Sequence, residues 1–401
     1  MKKLNALDRI LSDDPHLFRE SSTATSVKSA DAEGATISMA ARIRPGHSGV
    51  LAEIHRVDLT KEEERIELIR LKQDGTHSAS LVLSETPDAA EARIASALID
   101  THQAALYTLA DGVWSPSNNL ERLATAATKL GLGPQDQVVL TDRHCAALNR
   151  ESGEISAFSV SASPKEKSLD TAALAIGGWR TLTDIHVAGD MVYAAVADPV
   201  AGFDLFSCDL TGKKPGFKPL LDRGAHRFAL NGAVAAMASC DDGLLIGTAA
   251  LAGPAHPVGD WGPELLLVTP DGKWDLLAGL PRFSPAGLVL PASTQMPGMG
   301  QPENAAITSI ATAGRNAVIA LQSFTGDTCE DRREATADLL DYHGTIRLYR
   351  TSDLVDWEPL THDLPEPLGK INSMCLTESA VFVGHETLDT DAIPVRVIPL
   401  G

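Results

Sequence analysis

Apolar runs of roughly four to eight residues, separated by polar turns, recur along the whole chain, and their alternation predicts β-strands. The clearest set begins at Thr183, where TDIHVAGDMVYAA gives two β-rich runs around a Gly-Asp turn. A loop follows, then the alternating run Phe203–Leu210 (FDLFSCDL), a TGKKPG turn and FKPLL. The same order returns in AVAAMASCDDGLLIGTA with PELLLVTPDG and KWDLLAG, and again in AITSIATAGRNAVIALQ with GTIRLYRTSD and DWEPL. A last copy, INSMCLTESAVFVGH with PVRVIPL, supplies only three runs.

These units start near Thr183, Ala233, Ala306 and Ile371, a spacing of about 50 residues with insertions. Each reads as a four-stranded antiparallel meander, which is apolar on both faces and cannot bury them alone. Copies must therefore pack face to face about an axis, which predicts an all-β protein of the β-propeller class. In the first half, ATISMAARI, GVLAEIHRV, IELIRLKQDG and SASLVLSE read as one blade, ARIASALIDTHQAALYTLADGVW opens another, and QVVLTDRHCAALNRESGEISAF is a third. The expectation is seven blades, with six as the alternative, and an N-terminal strand completing the three-stranded last unit so that no edge stays open. Leu123, Ala126, Ala127 and Leu130 stand at helical spacing and predict a helical insert. Residues 1–34 stand apart as a short helix, with Leu4, Leu7, Ile10 and Leu11 on one face, and a polar linker. Residues 35–401 then form a single propeller domain.

Composition narrows the partners. The 401 residues carry a net charge of −19, which repels phosphate backbones and anionic lipid, so neither nucleic acid nor membrane is expected as a partner. No apolar run approaches the roughly 20 residues that cross a bilayer, and the start has a basic beginning without a continuous hydrophobic region. The five cysteines, Cys145, Cys208, Cys240, Cys329 and Cys375, are far apart and form no CxxC pair. Cys208, Cys240 and Cys375 lie in apolar, strand-like surroundings and read as core filler, and the whole pattern fits a reducing cytoplasm.

Residues 351–357 (TSDLVDW) resemble the aspartate-box turn of sialidase-like and other propellers: Ser352, Asp353 and Trp357 match in kind, the glycine is absent, and the spacing is one residue short. TPDGKW (Thr269–Trp274) and ADGVW (Ala110–Trp114) are looser versions. The resemblance implies a structural turn at the blade edge and no sialidase activity. The stretch from Trp261 to Asn304 is similar to uncharacterised bacterial propeller proteins at Trp261, Gly262, Glu264, Asp271, Gly272, Trp274, Pro281, Arg282 and Asn304. That similarity implies a fold and no particular activity.

The meander also predicts a polarity. First-to-second turns are short, whereas second-to-third loops and blade links are long and polar, and the latter share one face. Candidate ligand-binding residues on that face are Arg180, Asp198, Arg282, Asn304, Asp327, Cys329 and Glu386, the arginines through bidentate contacts to an anion. His226, His256, His343 and His385 come from four modules and are the candidate ligands of a divalent metal, weighed against solvated loop histidines, which scattered spacing favours. The insertion Gly326–Gly344 would place Cys329 and His343 together if it folds as a lid. No Walker loop, dinucleotide fingerprint or G-x-S-x-G elbow is present. The expected function is a binding scaffold for a protein or small polar ligand. The alternative is a propeller hydrolase or lyase on a sugar or other polar substrate, with its site at the mouth of the axis.

Overall fold

The computed structural model describes residues 36–46, 49–58, 63–72, 77–84, 107–110, 113–116, 137–140, 144–149, 154–159, 174–176, 180–211, 216–250, 262–269, 271–301, 304–323, 346–360, 371, 373–387 and 393–400. Within them the chain is mostly antiparallel β-sheet. The first sheet is β1 (Thr36–Gly46), β2 (Gly49–Asp58), β3 (Glu63–Leu71) and β4 (His77–Ser84), paired in chain order. A hairpin of β5 (Tyr107–Ala110) and β6 (Val113–Pro116) follows. Next come β7 (Gln137–Leu140), β8 (His144–Asn149), β9 (Glu154–Ser159) and β10 (Leu174–Ala175), then β11 (Thr181–Ala188), β12 (Met191–Ala197), β13 (Asp204–Asp209) and β14 (Lys218–Leu221), two further four-stranded meanders.

A one-turn helical segment, α1 (Arg223–His226), leads to β15 (Ala233–Cys240), β16 (Gly243–Ala249), β17 (Leu265–Val268) and β18 (Trp274–Ala278). A separate hairpin, β19 (Arg282–Ser284) with β20 (Gly287–Val289), precedes β21 (Asn304–Ala313), β22 (Asn316–Ser323), β23 (Ile346–Thr351) and β24 (Glu358–Pro359). The last strands are β25 (Ser373–Leu376), β26 (Ala380–Gly384), β27 (Glu386–Thr387) and β28 (Val395–Pro399). β25, β26 and β28 form a three-stranded sheet, while β27 pairs with β1 through Ser38↔Thr387 and Met39↔Glu386.

Period-two side-chain alternation explains how the sheets stack. In β12, Val192, Ala194 and Val196 face Ala146 and Ile155 of the preceding sheet, whereas Tyr193 and Ala195 face Val234, Met237 and Leu266 of the next. The pattern repeats in β16, with Leu244 and Ile246 on one side and Leu245 on the other. In β22, Ile319 and Leu321 join one core while Val318 and Ala320 join the following one. In β26, Val381 and Val383 pack back onto that core, and Phe382 packs forward onto Ala40, Ile54 and Ile69 of the first sheet. The second strand of each of these four meanders is thus sandwiched, which is why the sequence reads there as an unbroken apolar run.

The first strands run beside one another in the order β11, β15, β21, β25 and β1. β1, β11, β15 and β21 each carry a bulge against their partner, at Ala40/Arg42, Leu182/Asp184, Val234/Ala236 and Ile307/Ser309 respectively, and β21 has a further one at Asn304/Ala306. A bulge at the same place in each copy adds twist where the strands crowd together. The expected N-terminal helix, the completing N-terminal strand and the helical insert at 121–133 lie outside the described residues. Among the described residues, no helix is long and apolar enough to cross a membrane.

Two outcomes test this packing. Phe382→Ala removes a fully buried ring from the contact between the last sheet and the first, and urea unfolding should show a loss of about 3–5 kcal/mol. Cys208 and Cys375 are buried free thiols; burial raises the pKa of Cys208 and pushes Cys375 up to about 12. Iodoacetamide at neutral pH should leave both unlabelled in native protein and label both after denaturation, as read by peptide mass spectrometry.

Candidate functional site

Glu264 precedes β17 and is wholly buried, and its carboxylate organises one corner of the molecule. Arg282 Nη1 donates to Glu264 Oε1 at 2.9 Å, and Arg227 Nε lies 3.6 Å from the same oxygen. Both guanidiniums are buried, with side-chain exposures of 9% and 4%. The Leu280 amide also donates to Oε1 at 2.9 Å, and Asn231 Nδ2 donates to Oε2 at 2.7 Å. Arg282 Nε donates to the Ala225 carbonyl at 2.8 Å, and Arg227 Nη1 to the Gly262 carbonyl at 2.7 Å. A single carboxylate therefore ties the turn after β14, the start of β17 and the β19–β20 hairpin. In a low-dielectric interior such a group is tolerated because nearly all its acceptor capacity is used.

The turn itself is unusual. Arg223, Gly224, Ala225 and His226 all have positive φ, between 52° and 65°. The left-handed region costs non-glycine residues roughly 1–2 kcal/mol each, so neighbours must hold them there. Asn231 Nδ2 donates to the Gly224 carbonyl at 3.1 Å, and a Cβ on Gly224 would lie 2.7 Å from the Asn231 oxygen. The device recurs one module later: Gly298 and Met299 have φ of 63° and 58°, and Asn304 Nδ2 donates to the Gly298 carbonyl at 2.8 Å. In both copies an asparagine at the entry to a first strand latches a left-handed turn in the preceding link.

Several residues expected to meet a ligand take part in bonds of this kind. Asn304 is fully buried, and its amide oxygen accepts from Arg347 Nη1 at 3.1 Å, so both ends of the amide are engaged. Arg282 lies in the Glu264 network, with its guanidinium carbon 5.5 Å from the Trp274 ring centroid. His226 shares that indole, with ring centroids 6.3 Å apart, and its Nδ1 is 3.9 Å from Asp222 Oδ1. Arg180 and Asp198 do come together: Arg180 Nη2 pairs closely with Asp204, and Nε lies 3.8 Å from Asp198 Oδ2. Asp198 Oδ1 accepts from the amides of Val200 and Ala201 at 2.9 and 2.8 Å, shaping the loop that follows β12.

His385 bridges the last sheet and the first, accepting from the Ala40 amide at its carbonyl, and Glu386 follows in β27. Asp327, Cys329, His256 and His343 lie outside the described residues. Among the described residues, no three His, Cys, Asp or Glu side chains gather as a metal site.

Around this buried network the surface turns apolar. Seven large hydrophobic residues are exposed among those described, and six of them lie on the segments just named. Val200 is in the β12–β13 loop, Phe228 follows α1, and Phe283, Leu288, Leu290 and Met296 belong to the link between β18 and β21. Phe283, 79% exposed, stands directly opposite Leu288 in the β19–β20 ladder, so both rise from one face of the hairpin. Val289 packs inward on the Tyr193–Phe203 core. Residues 282–289 were expected as part of a connecting link; the SPAG stretch between Phe283 and Leu288 is the signal that marks the hairpin.

No known family model matches the chain, and no curated protein is significantly similar to it. Similar solved structures include a subtype N11 neuraminidase-like protein of A/flat-faced bat/Peru/033/2010 (H18N11), at 10% identity and TM-score 0.40 over 89% of this chain and 85% of that one. The Pyrococcus horikoshii acylaminoacyl peptidase has 9% identity and TM-score 0.43 over 90% of this chain and 51% of its own. The β-propeller domain of the Trilobed protease from Pyrococcus furiosus has 9% identity and TM-score 0.35 over 91% and 86%. Likeness at this level carries no activity to this chain.

Glu264→Gln leaves two buried guanidiniums facing a neutral amide. Urea unfolding should show a loss of about 3–5 kcal/mol, the cost of removing one partner from a buried ion pair. Adding Arg282→Met should restore part of that loss.

Proposed function

We propose that the chain is a β-propeller that acts as a protein-binding scaffold through the corner built on Glu264. The carrying observation is the gathering of Val200, Phe228, Phe283, Leu288, Leu290 and Met296 on loops and links that leave the sheets at one end. An exposed apolar patch rimmed by polar groups marks an interaction surface. A rigid cross-strand pair such as Phe283 and Leu288 also offers anchors that lose little conformational freedom on binding. The propeller reading draws its support from the sandwiched second strands, the neighbouring first strands and the repeated bulges. Six described meanders, two of them joined in one eight-stranded sheet through Ala249↔Ala306, with the β5–β6 hairpin between the first and second, support seven modules, and β6 runs beside β4. The aspartate-box resemblance at Thr351–Trp357 belongs to the same reading.

The occupant is a partner protein presenting apolar side chains flanked by basic ones, since the chain carries −19 and charge complementarity steers such encounters. Phe283→Ser with Leu288→Ser should leave the melting temperature nearly unchanged because both side chains are exposed. The same change should weaken association with a partner isolated on the wild-type protein by about tenfold or more, measured with both proteins purified. Equal affinity of the two forms would refute the assignment of this corner. Concentration-dependent sedimentation of the wild type alone would instead identify the occupant as a second copy.

A further inference from the structure

The chain enters its first sheet at the same end of the meanders as the apolar corner. Thr36, the first residue of β1, pairs with Asp58, the last of β2, and the Gly46–Gly49 turn lies at the far end. Val200, Phe228 and the β19–β20 hairpin belong to a second-to-third loop and to links, which leave the sheets at the end where Thr36 stands.

Residues 1–35 precede β1. The first eleven, MKKLNALDRIL, set Leu4, Leu7, Ile10 and Leu11 at helical spacing, and they carry Lys2, Lys3 and Arg9 against a single acid, Asp8. In a chain of net charge −19 this is a basic, apolar peptide, the chemistry that the corner calls for. Reach does not forbid the contact. The first strands β25 and β21 stand between β1 and β15, and three steps between stacked sheets come to roughly 30 Å. Residues 12–35, fully extended, would span about 80 Å.

The corner presents matching spacings. Phe283 and Leu288 stand directly opposite in the β19–β20 ladder, which sets their Cβ atoms about 5 Å apart. Residues three or four apart on a helix are separated by about 5–6 Å, so two leucines of one turn can seat over the pair. Phe228 extends the apolar surface, and Asp222, just ahead of α1, offers an exposed carboxylate to a basic group. Arg282 already fixes the hairpin to Glu264, so little of the receiving surface has to be ordered on docking. A peptide carried on the same chain also docks without the cost of bringing two molecules together.

We propose that residues 2–11 dock on the apolar corner of their own chain and compete there with the partner protein. The proposal rests on the reading of that corner as a protein-binding surface and adds its regulation: a partner gains access by displacing the peptide.

Hydrogen exchange of the full chain, read by peptide mass spectrometry, tests it. The forms compared are wild type, Leu7→Asp with Leu11→Asp, and Phe283→Ser with Leu288→Ser. Amides of residues 3–11 should be protected in the wild type and exchange about tenfold faster or more in both double variants. The hairpin peptide spanning 282–289 should also exchange faster in the Leu7→Asp, Leu11→Asp form, whose changes lie before the first strand. Unprotected residues 3–11 in the wild type, or protection that survives Phe283→Ser with Leu288→Ser, would overturn the proposal. Protection that rises with protein concentration would overturn it too, because the peptide would then be reaching another copy. A purified partner should bind the Leu7→Asp, Leu11→Asp form about threefold tighter or more than wild type. The two readings fail separately. Unprotected residues 3–11 with a partner that still needs Phe283 and Leu288 would sink the self-docking alone. Protection that depends on the corner, with a partner indifferent to it, would sink the scaffold reading alone.

Discussion

A single buried carboxylate, Glu264, sets the conditions for one whole corner of this molecule. It accepts from Arg282, Asn231 and the Leu280 amide, with Arg227 beside it. Those partners come from a link between meanders, a first strand's entry and a hairpin that lies outside the meanders. Without the carboxylate, two guanidiniums would sit in the interior uncompensated, and the left-handed turn at Arg223–His226 would lose the neighbours that hold it. The exposed apolar hairpin depends on the same bonds, since Arg282, its first residue, is its anchor. Polar burial here fixes where an apolar surface is displayed.

The strands were legible because the physics is local. A second strand sandwiched between two sheets needs apolar residues at every position, and MVYAAVA, GLLIGTA and AVFVG show it. The turns between first and second strands were equally plain. The roles of the polar residues were not, because their partners are remote in sequence. The bonds of Arg282 and Asn304 within the fold could not be read from their sequence neighbours. Arg282 meets its carboxylate 18 residues away, and Asn231 meets the same group 33 residues away. The displayed Phe283 and Leu288 were hidden for another reason: apolar residues are read as interior by default, and their exposure is set only by which face of the hairpin Val289 buries.

The two ends of the meanders differ in chemistry. At one end, loops and links carry an apolar corner over a saturated ionic network. At the other, short turns contribute Gly314, Asp356 and Glu378 to a cleft that Thr294 and Gln295 of the β18–β21 link also line. Alternation of strand direction makes this separation automatic: every first-to-second and third-to-fourth turn falls at one end, and every second-to-third loop and link falls at the other.

The paired latches have a consequence for how such a chain can change. Asn231 clamps its link at Gly224, and Asn304 clamps the next at Gly298, so each link is pinned just before the sheet it feeds. The register of the strand below each pin is set at the pin, whatever length of chain precedes it. The β18–β21 link has taken advantage of that freedom by housing an entire extra hairpin, while the bulge in β21 still falls where it does in β15. New surface can therefore be grafted onto this architecture by lengthening a link, at little risk to the register of the sheets.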